Sequence, residues 1–223
     1  MRSRNPHIVV ACMVLAVIAV SCTIVRHDNA SKEAQREIGD LSLRASTFDP
    51  VQYAEMIWEP VVLPRIESLS VDFNELMIGL NADEEGTSRR YGFRLLEEGN
   101  RFNFAVQGQV RLLSVDTSSA NGLVTVDFYP FTGQADALMS IGPVFRGSAI
   151  RDIQNSFSLN DFTNQTEFAR LARELNFKVR DVVLQGIDFE QLVGSQAEIL
   201  GVFDYHGRDR DIEIIPVRLT INQ

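Results

Sequence analysis

From Arg101 onward the hydrophobic pattern runs at a period of two, and this constrains the fold more than any other feature. Phe102, Phe104, Val106, Val110 and Leu112 alternate with Asn103, Gln107, Gln109 and Arg111, so one face of a strand is buried and the other wet, with Gly108 as a bend or bulge. After the turn-forming DTSSANG, Leu123–Tyr129 is the return strand. PFTGQAD turns again before a third strand, Ala137–Phe145, which Gly142-Pro143 breaks. Two further strands are predicted at Ala197–Tyr205 and Ile212–Ile221, joined by the polar turn HGRDRD. Pro216 cannot donate to a ladder, so the last strand has one side at an edge or a bulge.

Between the third and fourth strands the period changes. Phe168, Leu171, Ala172, Leu175, Val179, Val182 and Val183 recur at helical spacing, which predicts a helix from about Asn164 to about Gln185. Three strands, a helix and two strands is the order of the OB-fold, a five-stranded, partly open barrel. The expected class is therefore α+β, with an OB-fold-like five-stranded antiparallel barrel over residues 101–223. An open α+β sheet would use the same elements. Residues 49–100 read as a helical block packed on that core. Asp49-Pro50 supplies a cap and a proline at the first helical position, and Tyr53, Met56, Ile57 and Trp58 form the apolar face. Pro60 and Pro64 then break the path. A second helix begins at Asp72, carries Phe73, Leu76, Met77 and Leu80, and dissolves in NADEEGTSRRYG; Trp58 packs between the two helices.

The N-terminus gives an address. Arg2 and Arg4 precede an uncharged apolar run from Ile8 to Val20, the anatomy of a signal peptide over residues 1–21. Ala19-Val20-Ser21-Cys22 resembles the lipobox of bacterial lipoproteins, in which the cysteine is acylated and becomes the mature N-terminus. Cys12 has a similar local setting but only a stub of apolar residues before it. The alternative is a retained anchor helix from Ile8 to Val25. Both place the chain outside the cytoplasm and tethered to a membrane, with residues 22–48 as the lipidated N-terminus and tether. Beyond Cys22 there is no cysteine, which removes disulfides, a thiolate nucleophile and cysteine-based metal sites.

The formal charge is −9, and losing Arg2 and Arg4 takes it to −9 − 2 = −11. So acidic a chain argues against nucleic acid as a partner, because that needs clustered Lys and Arg. Arg89, Arg90 and Arg94 are the nearest to a basic cluster, and acidic residues surround them.

Several stretches together carry a family likeness. These are Cys22 at its lipobox, YAEMIWEPVVLP (Tyr53–Pro64), VDTSSANGLVTVD (Val115–Asp127), IGPVFRGSAIRD (Ile141–Asp152) and SLNDFTNQTEFARLARELN (Ser158–Asn176). The chain resembles the bacterial family of predicted periplasmic lipoproteins catalogued as domain of unknown function number twenty-two ninety-one. The resemblance implies an exported lipoprotein, in some cases set beside sugar ABC transporters, with no established activity and no catalytic residues to carry over.

NDFTNQTEF, at Asn160–Phe168, admits two readings. Asn164 lies three residues before Glu167, the spacing of a capping box, with Phe162 anchoring the helix entry. Alternatively, Arg146, Arg151, Asn160, Asp161, Asn164 and Gln165 line a polar pocket suited to a carbohydrate or a carboxylate. Structural bracing between an arginine and an aspartate, for instance Arg151 or Arg146 to Asp161, is the competing role for the arginines. Catalysis, cofactors and metals find no signature: His7 is in the leader, His27 in the tether and His206 alone in a turn. The expected function is a non-enzymatic binding or accessory module linked to transport, including sugar uptake, or to the envelope. The alternative is an envelope hydrolase using paired carboxylates. A stand-alone solute-binding protein fits poorly, since no βαβ alternation is present.

Overall fold

A computed structural model describes residues 48–94, 101–154, 157, 159–208 and 210–222. The leader, Cys22 and nearly all of the predicted tether lie outside the described residues. Helix α1 (Pro50–Ile57) starts where the sequence places it: the Asp49 carboxylate accepts from the Val51 N–H at 2.9 Å and Pro50 takes the first helical position. The predicted break at Pro60 does not occur. One π-helical turn, Trp58–Val62, carries the chain into α2 (Leu63–Leu69), with the Leu63 N–H donating to the Trp58 carbonyl. The wider turn absorbs the N–H that Pro60 lacks, and Pro64 sits in the first turn of α2, where no N–H is needed. Trp58, Val61 and Val62 are thereby all buried.

Helix α3 (Phe73–Ala82) is capped by Asp72, which accepts from Asn74 and Glu75. The stretch expected to dissolve instead forms α4 (Glu84–Tyr91), capped by Asp83. Its buried side chains are Thr87 and Ser88, with Gly79 of α3 receiving Thr87, so it has no apolar stripe to read. Acidic Glu84 and Glu85 open it and Arg89 and Arg90 close it, matching the helix dipole.

The sheet has six strands: β1 (Val71–Asp72), β2 (Asn103–Asp116), β3 (Leu123–Phe128), β4 (Ala137–Ser140), β5 (Gln196–Asp204) and β6 (Glu213–Asn222). The ladders run β2–β3–β4–β6–β5 and return from β5 to β2, so these five strands form a closed ring of pairings. Two expectations are corrected. A sixth strand, β1 from the helical block, adds to β2 in parallel, and β4 pairs with β6 in parallel, so the sheet is not purely antiparallel. The third strand also ends early, because Gly142 at φ +74° turns the chain back so that the Val144 N–H reaches the Ala120 carbonyl.

Pro216 lies opposite Gly201 at a register irregularity, as its missing donor requires. A Cβ on Gly201 would come within 2.4 Å of Ile214, so both residues belong to that irregularity. Gly108 is not a bulge: β2 pairs continuously with β5 through Gly108↔Ile199, and the shift falls between Leu112 and Ser114 on the β3 side. The bare Gly108 makes room for Phe128, whose ring stacks on Phe73 of α3 at 3.9 Å. That stack joins the helical block to the ring, and one buried cluster runs from Ala54 and Trp58 to Phe104, Phe203 and Val217.

Between β4 and β5 lie the short α5 (Ala149–Asp152) and the long α6 (Gln165–Lys178), the latter prolonged by a π turn, Val179–Val183. Tyr53 of α1 packs against Phe48 and Phe157, and burial, with Asp161 adding to it, pushes its hydroxyl up to about 12. The folded state keeps this proton where an unfolded tyrosine releases it, so stability should fall as pH rises from 10 towards 12. The full effect of a two-unit shift is on the order of 2–3 kcal/mol. Tyr53→Phe should lose less stability than the parent across that interval in alkaline urea denaturation; parallel losses would count against it.

Candidate functional site

The segment NDFTNQTEF is built as a helix start. Asn164 accepts from the Glu167 N–H at 3.0 Å, and Glu167 accepts in return from the Thr163 N–H at 3.0 Å. Phe162 closes the entry, its ring 5.2 Å from that of Phe168 and 5.2 Å from that of Phe48. Asn160 and Asp161 stand in a 3-10 turn before it and, like Asn164 and Gln165, are exposed.

Arg151 is buried in α5 and committed to its neighbours. Its Nε donates to Asp152 at 2.7 Å, a second nitrogen donates to the Phe168 carbonyl at 3.0 Å, and the guanidinium lies 3.7 Å from the centre of the Phe168 ring. Asp152 also accepts from the Ser148 hydroxyl at 2.6 Å. Arginine and helix start are thus joined through Phe168, with Asp152 as the bracing carboxylate.

Arg146 faces elsewhere. It lines a cleft of about 610 Å³ with Arg101, Gly147, Asp204 at the end of β5, His206, Arg210 and Asp211 of the following turn, and Glu213 and Ile215 of β6. None of the other five residues expected beside Arg146 lines this cleft. The loop is held from below by buried Asn176, whose amide donates to the Gly147 carbonyl at 3.1 Å. Gly147 takes φ +81°, and a Cβ there would stand 2.9 Å from the Asp204 carboxylate. Burial pushes the Asp204 carboxyl up; His206 and Arg101 pull it down, while Asp152 and Glu213 push it further up. Glu213 accepts from the buried Ser140 hydroxyl at 2.5 Å, and Arg101 lies 3.3 Å from the His206 ring nitrogen.

A second concavity, about 390 Å³, lies across the middle of the sheet. Register brings together residues far apart in the chain: Gln109 of β2 pairs with Glu198 of β5, and Glu198 pairs with Thr220 of β6. Gln107 stands two residues from Gln109 on the same outward face, opposite Leu200. Tyr129 borders the groove and is 62% exposed. It is positioned at both ends, since Asn74 donates to its carbonyl at 2.6 Å and its ring meets Phe131 edge-on at 5.5 Å. The charged groups at the far wall are engaged: Arg218 binds Glu67, and Asp72 caps α3. The outward positions of β2 were readable as solvent-facing from the alternation, but their meeting with Glu198, Thr220 and Tyr129 depends on ring order, which the alternation does not encode.

Among the described residues, no group of three or more His, Cys, Asp or Glu is placed to hold a metal ion, and no helix is long and apolar enough to cross a membrane.

This arrangement of ladders and intervening helix has a solved counterpart. An OB-fold protein (tm0957) from Thermotoga maritima superposes with a TM-score of 0.63 at 22% identity, covering 79% of this chain and 100% of that one. The fold is therefore of the OB type, with a helical block preceding the strands. The family described as "Predicted periplasmic lipoprotein (DUF2291)" matches residues 12–220, and the chain belongs to that family. None of the curated proteins matches the chain.

Proposed function

We propose that the chain is a non-enzymatic binding module, tethered to a membrane through acylated Cys22 and facing the periplasm. Its five-stranded ring acts as a closed barrel and carries a neutral carbohydrate in the groove across β2, β5 and β6. It serves a transport system, sugar uptake first among them, or an envelope complex. One observation carries the ligand class: the groove presents two carboxamides, of which Gln107 also accepts from the Ser70 hydroxyl at 3.2 Å, with the Glu198 carboxylate and two hydroxyls, beside an exposed aromatic face. Planar amides and carboxylates satisfy vicinal hydroxyls, and an aromatic ring covers the apolar face of a sugar. The one guanidinium at the groove is paired, which disfavours an anionic ligand.

An envelope hydrolase would need two carboxylates converging on one bond. Asp204 and Glu213 do share a cleft, but three guanidiniums share it with them and Glu213 is engaged by Ser140. That setting suits the recognition of charge better than acid–base attack on a neutral glycoside.

The test is calorimetric titration of the full-length chain in detergent with neutral oligosaccharides. Tyr129→Ala and Glu198→Gln should each weaken binding by ~10-fold or more, about 1.4 kcal/mol, with the fold intact. Binding that both variants leave unchanged would refute the groove as the site.

A further inference from the structure

The cleft around Arg146 is a different chemical environment from the groove, and nothing in the carbohydrate reading uses it. Arg101, Arg146 and Arg210 face Asp204, Asp211 and Glu213 across it, three cationic groups against three carboxylates. Opposite charges so placed ordinarily close on one another. Here none of the six forms an ion pair with a described residue, whereas Arg89, Arg151, Arg173, Arg180, Arg208 and Arg218 all do. The charges are held apart by the frame. Asp204 and Glu213 are fixed by the ends of two paired strands, while Arg146 rides a loop fastened by Asn176. Gly147 adds no side chain over Asp204, so the half-buried carboxylate remains reachable.

We propose that this cleft binds a small zwitterion, its ammonium group against Asp204 and Glu213 and its carboxylate against Arg146 and Arg210. The balance of charge is the reason. A simple anion would meet three carboxylates along with the arginines, and a simple amine would meet three arginines along with the carboxylates. A molecule carrying both charges satisfies both sets, and a guanidinium fork is well matched to a carboxylate. Burial already disfavours the Asp204 anion, and a bound ammonium group would compensate it.

The site is independent of the carbohydrate groove and is tested separately, by NMR titration of the full-length chain in detergent with L-alanine, L-lysine and L-glutamate. Propionate and ethylamine serve as probes that each lack one of the two charges of alanine. At least one amino acid should bind in the millimolar range or tighter, and propionate and ethylamine should each bind ~10-fold or more weakly than the amino acid. Arg146→Ala should abolish the preference over ethylamine, and Asp204→Asn the preference over propionate, with melting curves confirming that both variants fold. Arg210→Ala repeats the first test should Arg146→Ala fail to fold. Propionate or ethylamine binding as tightly as the amino acids, or no response to any amino acid at millimolar concentration, would overturn the proposal.

Discussion

Replacing Trp58 with alanine should destabilise the protein by about 3–5 kcal/mol, the range for a large buried aromatic truncated to a methyl group. Trp58 is 1% exposed, at the start of the π turn that carries the chain past Pro60. Its indole nitrogen has no hydrogen-bond partner among the described residues, so the loss is one of packing and cavity formation. At about 2–4 °C per kcal/mol for a chain of this size, the melting temperature should fall by roughly 10 °C. Trp58→Phe keeps most of the apolar area and should lose less than half as much. A loss below about 1 kcal/mol for Trp58→Ala in urea denaturation would mean that the cavity collapses at little cost and that the π turn pins nothing.

Arg151→Ala should cost about 3–5 kcal/mol, because it leaves the half-buried Asp152 with one hydroxyl partner and strips the Phe168 carbonyl and ring of the guanidinium. Arg151→Lys should recover little, since an ammonium group cannot reproduce the fork that reaches Asp152 and Phe168 together. Removing Asp152 as well should restore part of the loss, and a double-mutant cycle would read the coupling directly. These outcomes separate the two roles open to this arginine. A ligand-binding Arg151 would change stability by less than about 0.5 kcal/mol, as surface substitutions do, while eliminating a binding signal.

Much of this was legible because it is local. The Asp49-Pro50 start, the Asn164 cap with Glu167, and the order of five strands around one helix all follow from neighbouring residues. The misreadings share a different cause. Helix α4 buries Thr87, which packs against Gly79, and Ser88, so no hydrophobic period announces it. Within its own strand Gly108 signals a bend or bulge, whereas it makes room for Phe128 from the neighbouring strand. Pro60 carries the local signal of a breaker because a proline interrupts an α-helix, and the π turn is a solution that buries Trp58, Val61 and Val62. The candidate sites were the least legible. Gln109, Glu198 and Thr220 are separated by much of the chain and become neighbours only through the ladders of β2, β5 and β6. Arg146 lines a cleft whose other residues come mainly from β5, β6 and the turn between them rather than from NDFTNQTEF, so the expected grouping of Arg146 with Arg151, Asn160, Asp161, Asn164 and Gln165 does not form there.

Binding is the central claim, and a thermal-shift screen of the full-length chain against neutral mono- and oligosaccharides, run in parallel with Tyr129→Ala, tests it most directly. Ligand that binds the native state raises the melting temperature with concentration. The prediction is a concentration-dependent rise with at least one neutral sugar that Tyr129→Ala removes; no rise with any sugar, or a rise that survives loss of the Tyr129 ring, would contradict it.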